Sequence, residues 1–170
     1  MVRFALLGCG RIGRVHADSI AAHPRAELAW ACHPREQAAR VFASDYGADA
    51  STDVDALLAD PRVDAIVVAS PTSTHVDLVT RGVLAGKAVL CEKPIDVDMT
   101  RVDACWEQIK SANPTVMMGF NRRFDASFQT VRDRIRAGDI GRLEQLIVIS
   151  RDPAPPPPGY VASSGGCSAT

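Results

Sequence analysis

The sequence predicts an α/β fold, a doubly wound parallel sheet followed by the stub of an α+β domain. Short β-rich runs alternate with longer helical stretches, a rhythm typical of parallel strands joined by crossover helices. One run, residues 63–69, is almost entirely apolar, as expected of a central strand buried on both faces. The chain has 170 residues, 46% of them hydrophobic, which is enough for one domain and part of a second.

Six strands and five helices are predicted in this first domain. The strands are expected at residues 2–7, 27–32, 49–51, 63–69, 88–91 and 115–119. The helices are expected from the glycine-rich turn to about residue 23, then at 35–46, 52–58, 73–84 and 98–111. The helices are predicted to end at residues that stop helices, namely His23-Pro24, Gly47, Asp60-Pro61 and Gly86. We expect the strand order 3-2-1-4-5-6, with a ligand cleft at the carboxyl ends of strands one and four.

A glycine-rich turn follows the first strand. Gly8, Gly10 and Gly13 have the G-x-G-x-x-G spacing, and Arg11 and Ile12 lie between them. In a strand-turn-helix context these glycines serve the tight turn, the close approach of a pyrophosphate, and helix-strand packing. The pattern therefore predicts a dinucleotide site, and an ordinary glycine-rich turn is the alternative.

Composition excludes several other classes of protein. A net charge of −1 gives no indication of nucleic acid or an anionic membrane surface as partner. The five cysteines are scattered without a C-x-x-C pair, so we interpret them as reduced thiols and expect neither a disulfide framework nor a metal site. No apolar run approaches ~20 residues and no signal peptide is recognisable, so we expect a cytoplasmic protein that does not contact a membrane. Hydrolase, zinc-protease and P-loop motifs are missing from the sequence.

Four segments carry a family resemblance: G-C-G-R-I-G-R-V-H-A, S-P-T-S-T-H, A-G-K-A-V-L-C-E-K-P and G-F-N-R-R-F-D. Together they resemble the signatures of the glucose–fructose oxidoreductase and inositol dehydrogenase (Gfo/Idh/MocA) family. The resemblance implies a Rossmann domain at residues 1–121 and the truncated start of a substrate and oligomerisation domain at 122–170. F-N-R-R-F-D and the later R-D-P-A-P-P-P resemble the inositol 2-dehydrogenases, which oxidise a polyol ring hydroxyl to a ketone by hydride transfer to a nicotinamide.

The resemblance also implies roles for individual residues. Lys93 lies in the family's catalytic-lysine motif, Glu92-Lys93-Pro94, and is expected at the substrate hydroxyl; a solvated lysine is the alternative. Further cofactor contacts are expected from Ser70, Pro71, Thr72, His75 and Glu92. His75 has an equally weighted alternative, packing within the first turn of its helix, and His16 is expected to be structural. Arg122 is expected to face the polyol while Arg123 pairs with Asp125, against surface arginines as the alternative.

The residues that would face the adenosine ribose leave the choice of cofactor open. NAD-binding turns usually carry an acidic residue about 20 positions after the last glycine. Here that position holds His33, and Arg35 follows. The family resemblance implies NAD, whereas the missing carboxylate and the nearby cation favour the 2′-phosphate of NADP.

The last part of the chain is predicted to begin the second domain. A helix at 124–137 is expected to end at Gly138, and residues 143–151 are expected to form the first strand of the second domain. Because few residues remain to cover that strand, we expect this chain to self-associate. The family resemblance implies a homo-oligomer for the full-length form, since family members lay the sheet of the second domain against a partner subunit. The proline run 153–158 is expected to cross between two layers of the enzyme, and a polyproline ligand for a partner is the alternative.

The C-terminal residues depart from the family pattern. In the inositol dehydrogenases that this sequence resembles, Ser-Gly-Gly precedes Leu-Phe-Arg-Asp-Met-Thr and then a His, and that Asp and His accept the proton. Here Ser164-Gly165-Gly166 precedes Cys167, Ser168, Ala169 and Thr170. Loss of one base from a reconstructed coding run gives these four residues and a stop, so we expect a frameshift, with deliberate truncation as the alternative. Two functions follow as hypotheses: an oxidoreductase, or a catalytically inactive NAD(P)-binding fragment.

Overall fold

A computed structural model describes residues 1–151 and contains a six-stranded parallel sheet. The strand order is β3-β2-β1-β4-β5-β6, which confirms the doubly wound topology expected from the sequence. The strands are β1 (Val2–Leu7), β2 (Ala26–Cys32), β3 (Asp49–Ser51), β4 (Ala65–Val68), β5 (Ala88–Cys91) and β6 (Val116–Met118). The order reverses between β1 and β4, so the crevice at their carboxyl ends is the usual place for a ligand.

Six α-helices connect or follow the strands in the described part of the chain. They are α1 (Arg11–Ala22), α2 (Glu36–Ser44), α3 (Val54–Ala59), α4 (His75–Leu84), α5 (Met99–Ile109) and α6 (Ala126–Ala137). Aspartate side chains cap three of them, because the carboxylates of Asp53, Asp98 and Asp125 accept hydrogen bonds from the first-turn N–H groups of α3, α5 and α6. No helix within residues 1–151 has the length and apolar character needed to cross a membrane.

The core consists of two layers, one on each face of the sheet. Alternate residues of β4 point to opposite layers: Ile66 and Val68 pack with α4 and α5, whereas Val67 packs with Leu6 and the α1–α2 layer. All four residues of β4 are buried, which confirms the central strand expected from the apolar run. The sheet therefore holds the ends of β1, β4 and β5 in fixed register.

The expected strand at residues 143–151 is wrong for the described structure. No strand is assigned there, and Leu146, Ile147, Val148 and Ile149 are all exposed. A β-strand is defined by hydrogen bonds to a neighbour, and within residues 1–151 this segment has none. Helix α6, which precedes it, has no buried residue either. The expectations for the proline run and for residues 164–170 lie outside the described residues.

Asp60 gives the fold a specific sensitivity to acid. Hydrogen bonds from the Arg62 side chain, with help from the Arg62 backbone N–H and the Trp30 indole, lower the pKa of Asp60 from its usual 3.8 to about 2. A lowered pKa stabilises the fold above pH 3.8, and this stabilisation is lost as the pH falls toward 2. We expect Asp60→Asn to reduce the urea midpoint at about pH 5, and to reduce it by clearly less at about pH 2.5, where much of the stabilisation has already been lost from the parent. If the urea midpoints of parent and variant differed by the same amount at both pH values, the acid sensitivity could not be assigned to the Asp60 carboxylate.

Candidate dinucleotide-binding site

The three glycines of the turn after β1 meet different surroundings. Gly8 has a φ of +113°, and a Cβ there would lie 2.6 Å from the carbonyl oxygen of Ala69 at the end of β4. A Cβ on Gly13 would lie 2.0 Å from the carbonyl oxygen of Gly8. A Cβ on Gly10 would meet no atom of the described residues within 4 Å. Two glycines are therefore needed for packing inside the protein, and the third faces open space at the cleft.

The N-terminus of α1 offers unpaired donors beside Gly10. Gly10 is the N-cap residue, no side chain caps the helix, and the first turn carries no acidic residue. Arg11 is exposed in this turn and forms no ion pair with any described residue, whereas Arg14 is paired with Asp45 at 2.9 Å. Burial raises the pKa of the Cys9 thiol to about 11, so Cys9 adds no negative charge. The end of the helix is consequently suited to an anion such as a pyrophosphate.

His33 and Arg35 lie at the carboxyl end of β2, the next strand of the sheet. The Nδ1 atom of His33 accepts the backbone N–H of Arg35 at 3.0 Å, which places the ring proton of a neutral His33 on Nε2. The half-buried imidazole thus presents a donor, while an aspartate would present acceptors. Arg35 is exposed. Both groups favour a negatively charged or acceptor-rich partner.

The loop after β4 contains Ser70, Pro71 and Thr72. The Ser70 hydroxyl hydrogen-bonds the Thr74 hydroxyl at 2.6 Å, and Thr74 also donates to the carbonyl oxygen of Pro71 at 2.7 Å. Because a Cβ on Gly8 would overlap the Ala69 carbonyl and the Ser70 nitrogen, this loop lies directly beside the glycine turn at the carboxyl edge of the sheet, where the cleft is expected. Thr72 is partly exposed at the start of the 3₁₀ turn before α4.

His75 is packed between two loops, which is the second of the two roles expected for it. The side chain is 2% exposed, and its ring nitrogens lie 2.8 Å from the carbonyl oxygens of Ser70 and Pro94. A neutral imidazole donates one of these hydrogen bonds, and an imidazolium donates both. With both ring nitrogens engaged by backbone oxygens, His75 supports the walls of the cleft.

Glu92 and Lys93 follow β5, on the far side of β4 from the glycine turn. The Glu92 carboxylate is 2.8 Å from His16 Nε2 and 3.3 Å from the Lys93 backbone nitrogen. The hydrogen bond from His16, the largest influence, lowers the pKa of Glu92 below its usual value, so the carboxylate is ionised. Lys93 is half-buried, its ammonium has no hydrogen-bond or ion-pair partner among the described residues, and the Lys93-Pro94 peptide is cis. The ammonium is therefore available to a bound molecule.

Arg122 is placed differently from the sequence expectation. Its guanidinium stacks over the Phe128 ring at 5.1 Å, and the carboxylate of Asp125 caps α6. The expected pairing of Asp125 with Arg123 is wrong in the described structure: no ion pair joins them within residues 1–151, and Oδ1 of Asp125 accepts the N–H groups of Ser127 and Phe128. Nor do the described residues contain a group of three or more His, Cys, Asp or Glu side chains arranged to hold a metal ion.

The His16–Glu92 contact is the feature of this site that sequence reasoning missed. The two residues are 76 positions apart, and neither belongs to a periodic pattern that would pair them. His16 comes after β1 and Glu92 comes after β5, so both lie toward the carboxyl edge of the sheet. This shared edge was the one sequence signal that could have suggested the contact. Glu92 itself was expected near the cofactor; the structure shows its carboxylate against Gly119 and His16.

Comparisons with known proteins agree with this geometry. The model of the oxidoreductase family with an NAD-binding Rossmann fold (Gfo/Idh/MocA) matches residues 2–120. Over 97% of this chain and 50% of the relative, the sequence is 46% identical to the inositol 2-dehydrogenase of Rhizobium meliloti. It is 39% identical, with the same coverage, to the myo-inositol 2-dehydrogenase of Thermotoga maritima. A solved myo-inositol dehydrogenase from Corynebacterium glutamicum is 50% identical with a TM-score of 0.94, over 99% of this chain and 51% of that one.

The chain spans about half the length of the curated relatives that it matches. Within that span, the matched family region contains the sheet, the glycine turn and the Lys93 loop. The parallel sheet, the turn and the sequence match together show that the chain belongs to the Gfo/Idh/MocA family of oxidoreductases, with an NAD-binding Rossmann fold.

Proposed function

We propose that this chain binds a nicotinamide dinucleotide and belongs to an oxidoreductase that converts a ring hydroxyl of an inositol-like polyol to a ketone. The observations that carry the proposal are the open side of Gly10, after β1, and the Lys93 ammonium, which has no partner within residues 1–151 and follows β5 at the same edge of the sheet. The pyrophosphate would lie against Gly10 and the N–H groups of Arg11, Ile12 and Gly13. The polyol is proposed because the relatives described above are named inositol 2-dehydrogenases.

Among the residues of this chain, Lys93 is the one proposed to act directly on the substrate hydroxyl. Its ammonium donates a hydrogen bond to the substrate hydroxyl and stabilises the negative charge that develops on that oxygen as its proton leaves. Ser70, Pro71 and Thr72 line the adjoining wall, and Glu92 holds the backbone N–H of Lys93. A bound nicotinamide supplies the hydride acceptor. Arg122 is a proposed substrate contact that would have to leave its stack on Phe128.

The second candidate is a catalytically inactive NAD(P)-binding module. Both candidates share cofactor binding, whereas only the oxidoreductase transfers hydride, which requires a proton acceptor within reach of the hydroxyl. We expect NADH titration, followed by fluorescence or calorimetry, to show binding to the parent chain. Inositol-dependent reduction of NAD or NADP then separates the two candidates. The absence of any dinucleotide binding would contradict both.

We further propose that His33 and Arg35 make the site tolerant of NADP. The Nε2–H of His33 and the guanidinium of Arg35 are donors, and a 2′-phosphate is an acceptor. NAD remains the cofactor implied by the family. His33 therefore sets the preference between them.

The test of this preference is His33→Asp. A carboxylate at this position accepts hydrogen bonds from the ribose hydroxyls and repels a 2′-phosphate, so we expect a shift toward NAD of about 1–3 kcal/mol. Titrations of parent and variant with NADH and NADPH measure it, and Glu36→Gln on the neighbouring exposed position is the control. An unchanged ratio of dissociation constants would show that position 33 does not face the ribose.

The wider organisation of the protein is also a proposal. We place the boundary of the dinucleotide-binding domain at residue 121, and the family match that ends at residue 120 supports this boundary. The four cysteines in residues 1–151 are free thiols, which supports a reducing compartment such as the cytoplasm. A homo-oligomer of the full-length form stays a prediction.

A further inference from the structure

Lys93 lies between two residues that are each held by a histidine. On one side, the Glu92 carboxylate is 2.8 Å from His16 Nε2. On the other side, the Pro94 carbonyl oxygen is 2.8 Å from His75 Nδ1. These contacts join the Lys93 segment to parts of the chain 76 and 19 residues away.

Each histidine comes from an element that forms another wall of the cleft. His16 belongs to α1, whose first turn contains Gly13 and begins at the glycine turn. The second ring nitrogen of His75 is 2.8 Å from the carbonyl oxygen of Ser70, in the loop after β4. The His16 contact thus ties the Lys93 segment to the glycine turn, and the His75 contact ties it to the β4 loop.

Burial makes these contacts rigid. The side chains of His16 and Glu92 are 19% and 21% exposed, and His75 is 2% exposed. Hydrogen bonds shielded from water are stronger than exposed ones, and a buried polar group left without its partner is costly. Glu92 also packs against Gly119, where a Cβ would lie 3.0 Å from a carboxylate oxygen, so the carboxylate has little room to move.

We propose that His16 and His75 are positioning residues that fix Lys93 relative to the glycine turn and the β4 loop, and so relative to the bound dinucleotide. This inference rests on the proposed function of the cleft. Neither histidine has to touch the cofactor. His16 acts through Glu92, and His75 acts through Pro94.

The lysine content of the chain allows a direct test. Lys87, Lys93 and Lys110 are the only lysines in the sequence, so reductive methylation with ¹³C-formaldehyde gives a few assignable NMR signals. In the parent chain we expect NADH to shift the Lys93 signal and to leave the exposed Lys110 signal unchanged. His16→Leu should bind NADH but lose the shift of the Lys93 signal, because Glu92 has lost its partner.

A conservative variant and a control separate positioning from general stability. His16→Gln places an amide N–H near the position of Nε2 and should restore the shift of the Lys93 signal. His23→Leu removes an exposed histidine just after α1 and should behave as the parent does. A merely structural role for His16 would lower the urea midpoint in His16→Leu and leave the response of Lys93 intact, which would overturn the inference.

The second histidine provides an independent variant. His75→Gln replaces the two ring nitrogens, each of which contacts its own carbonyl oxygen, with a single amide nitrogen. It should therefore weaken the response of Lys93 if the variant folds by circular dichroism. His75 is buried; if its variant does not fold, the variants His16→Leu and His16→Gln alone test whether the histidines position Lys93. Failure of the parent chain to bind NADH would overturn the proposed function and this inference with it. Binding with an unaltered Lys93 response in His16→Leu would overturn the inference alone.

Discussion

Gly10→Val is expected to fold like the parent chain and to lose dinucleotide binding. A Cβ at position 10 meets no atom of residues 1–151 within 4 Å, so the larger side chain finds space in the unliganded fold. That space is where the pyrophosphate has to approach the backbone. We expect affinity for NADH to fall by about a hundredfold, which corresponds to the ~3 kcal/mol that steric overlap costs in a packed site. Calorimetry gives the affinity, and a urea titration gives the free energy of unfolding.

A matched control for this variant is Ala21→Val on the exposed face of α1. It adds a valine to the same helix, away from the turn, and should leave NADH binding unchanged. If Gly10→Val bound NADH as the parent does, the glycine turn would not be the cofactor site. If Gly10→Val failed to fold, the conclusion that a side chain at position 10 has open space around it would be wrong.

Gly13→Ala, unlike Gly10→Val, is expected to lower the free energy of unfolding by a large amount. Its Cβ would lie 2.0 Å from the carbonyl oxygen of Gly8, an overlap with backbone that only a displacement of α1 or of the turn relieves. Such overpacking costs about 3 kcal/mol, a large fraction of the ~5–15 kcal/mol that stabilises a domain. Urea unfolding followed by the fluorescence of Trp30 and Trp106 measures the loss.

Gly10→Ala is the natural comparison for Gly13→Ala, since the same methyl group is added three residues earlier. It should cost about 1 kcal/mol or less, the effect of a poorer N-cap. Equal losses of stability at positions 10 and 13 would contradict the distinction between an internal and a cleft-facing glycine.

The sheet could be predicted from the sequence because its signals are local. Residues 2–7 and 88–91 are strands with the expected bounds, since each apolar run ends at a residue that leaves the sheet. The expected short helix after β3 is also confirmed, because Asp53 is a strong N-cap. The glycine spacing located the turn for the same reason.

Contacts between distant segments could not be predicted in this way. His16 and Glu92 meet only because the sheet aligns the ends of β1 and β5. His75 had two expected roles, and only the position of Pro94 shows that both ring nitrogens are engaged. The segment 143–151 has strand-like composition, but composition does not supply a neighbouring strand.

The central claim is that the turn after β1 receives the pyrophosphate of a nicotinamide dinucleotide. The most direct measurement is the backbone amide NMR spectrum of the ¹⁵N-labelled chain during titration with NADH. We predict that the N–H signals of Arg11, Ile12 and Gly13 shift with saturation, while those of α6 stay in place. Saturable binding with unshifted signals from these three residues, or shifts confined to another surface, would contradict the claim.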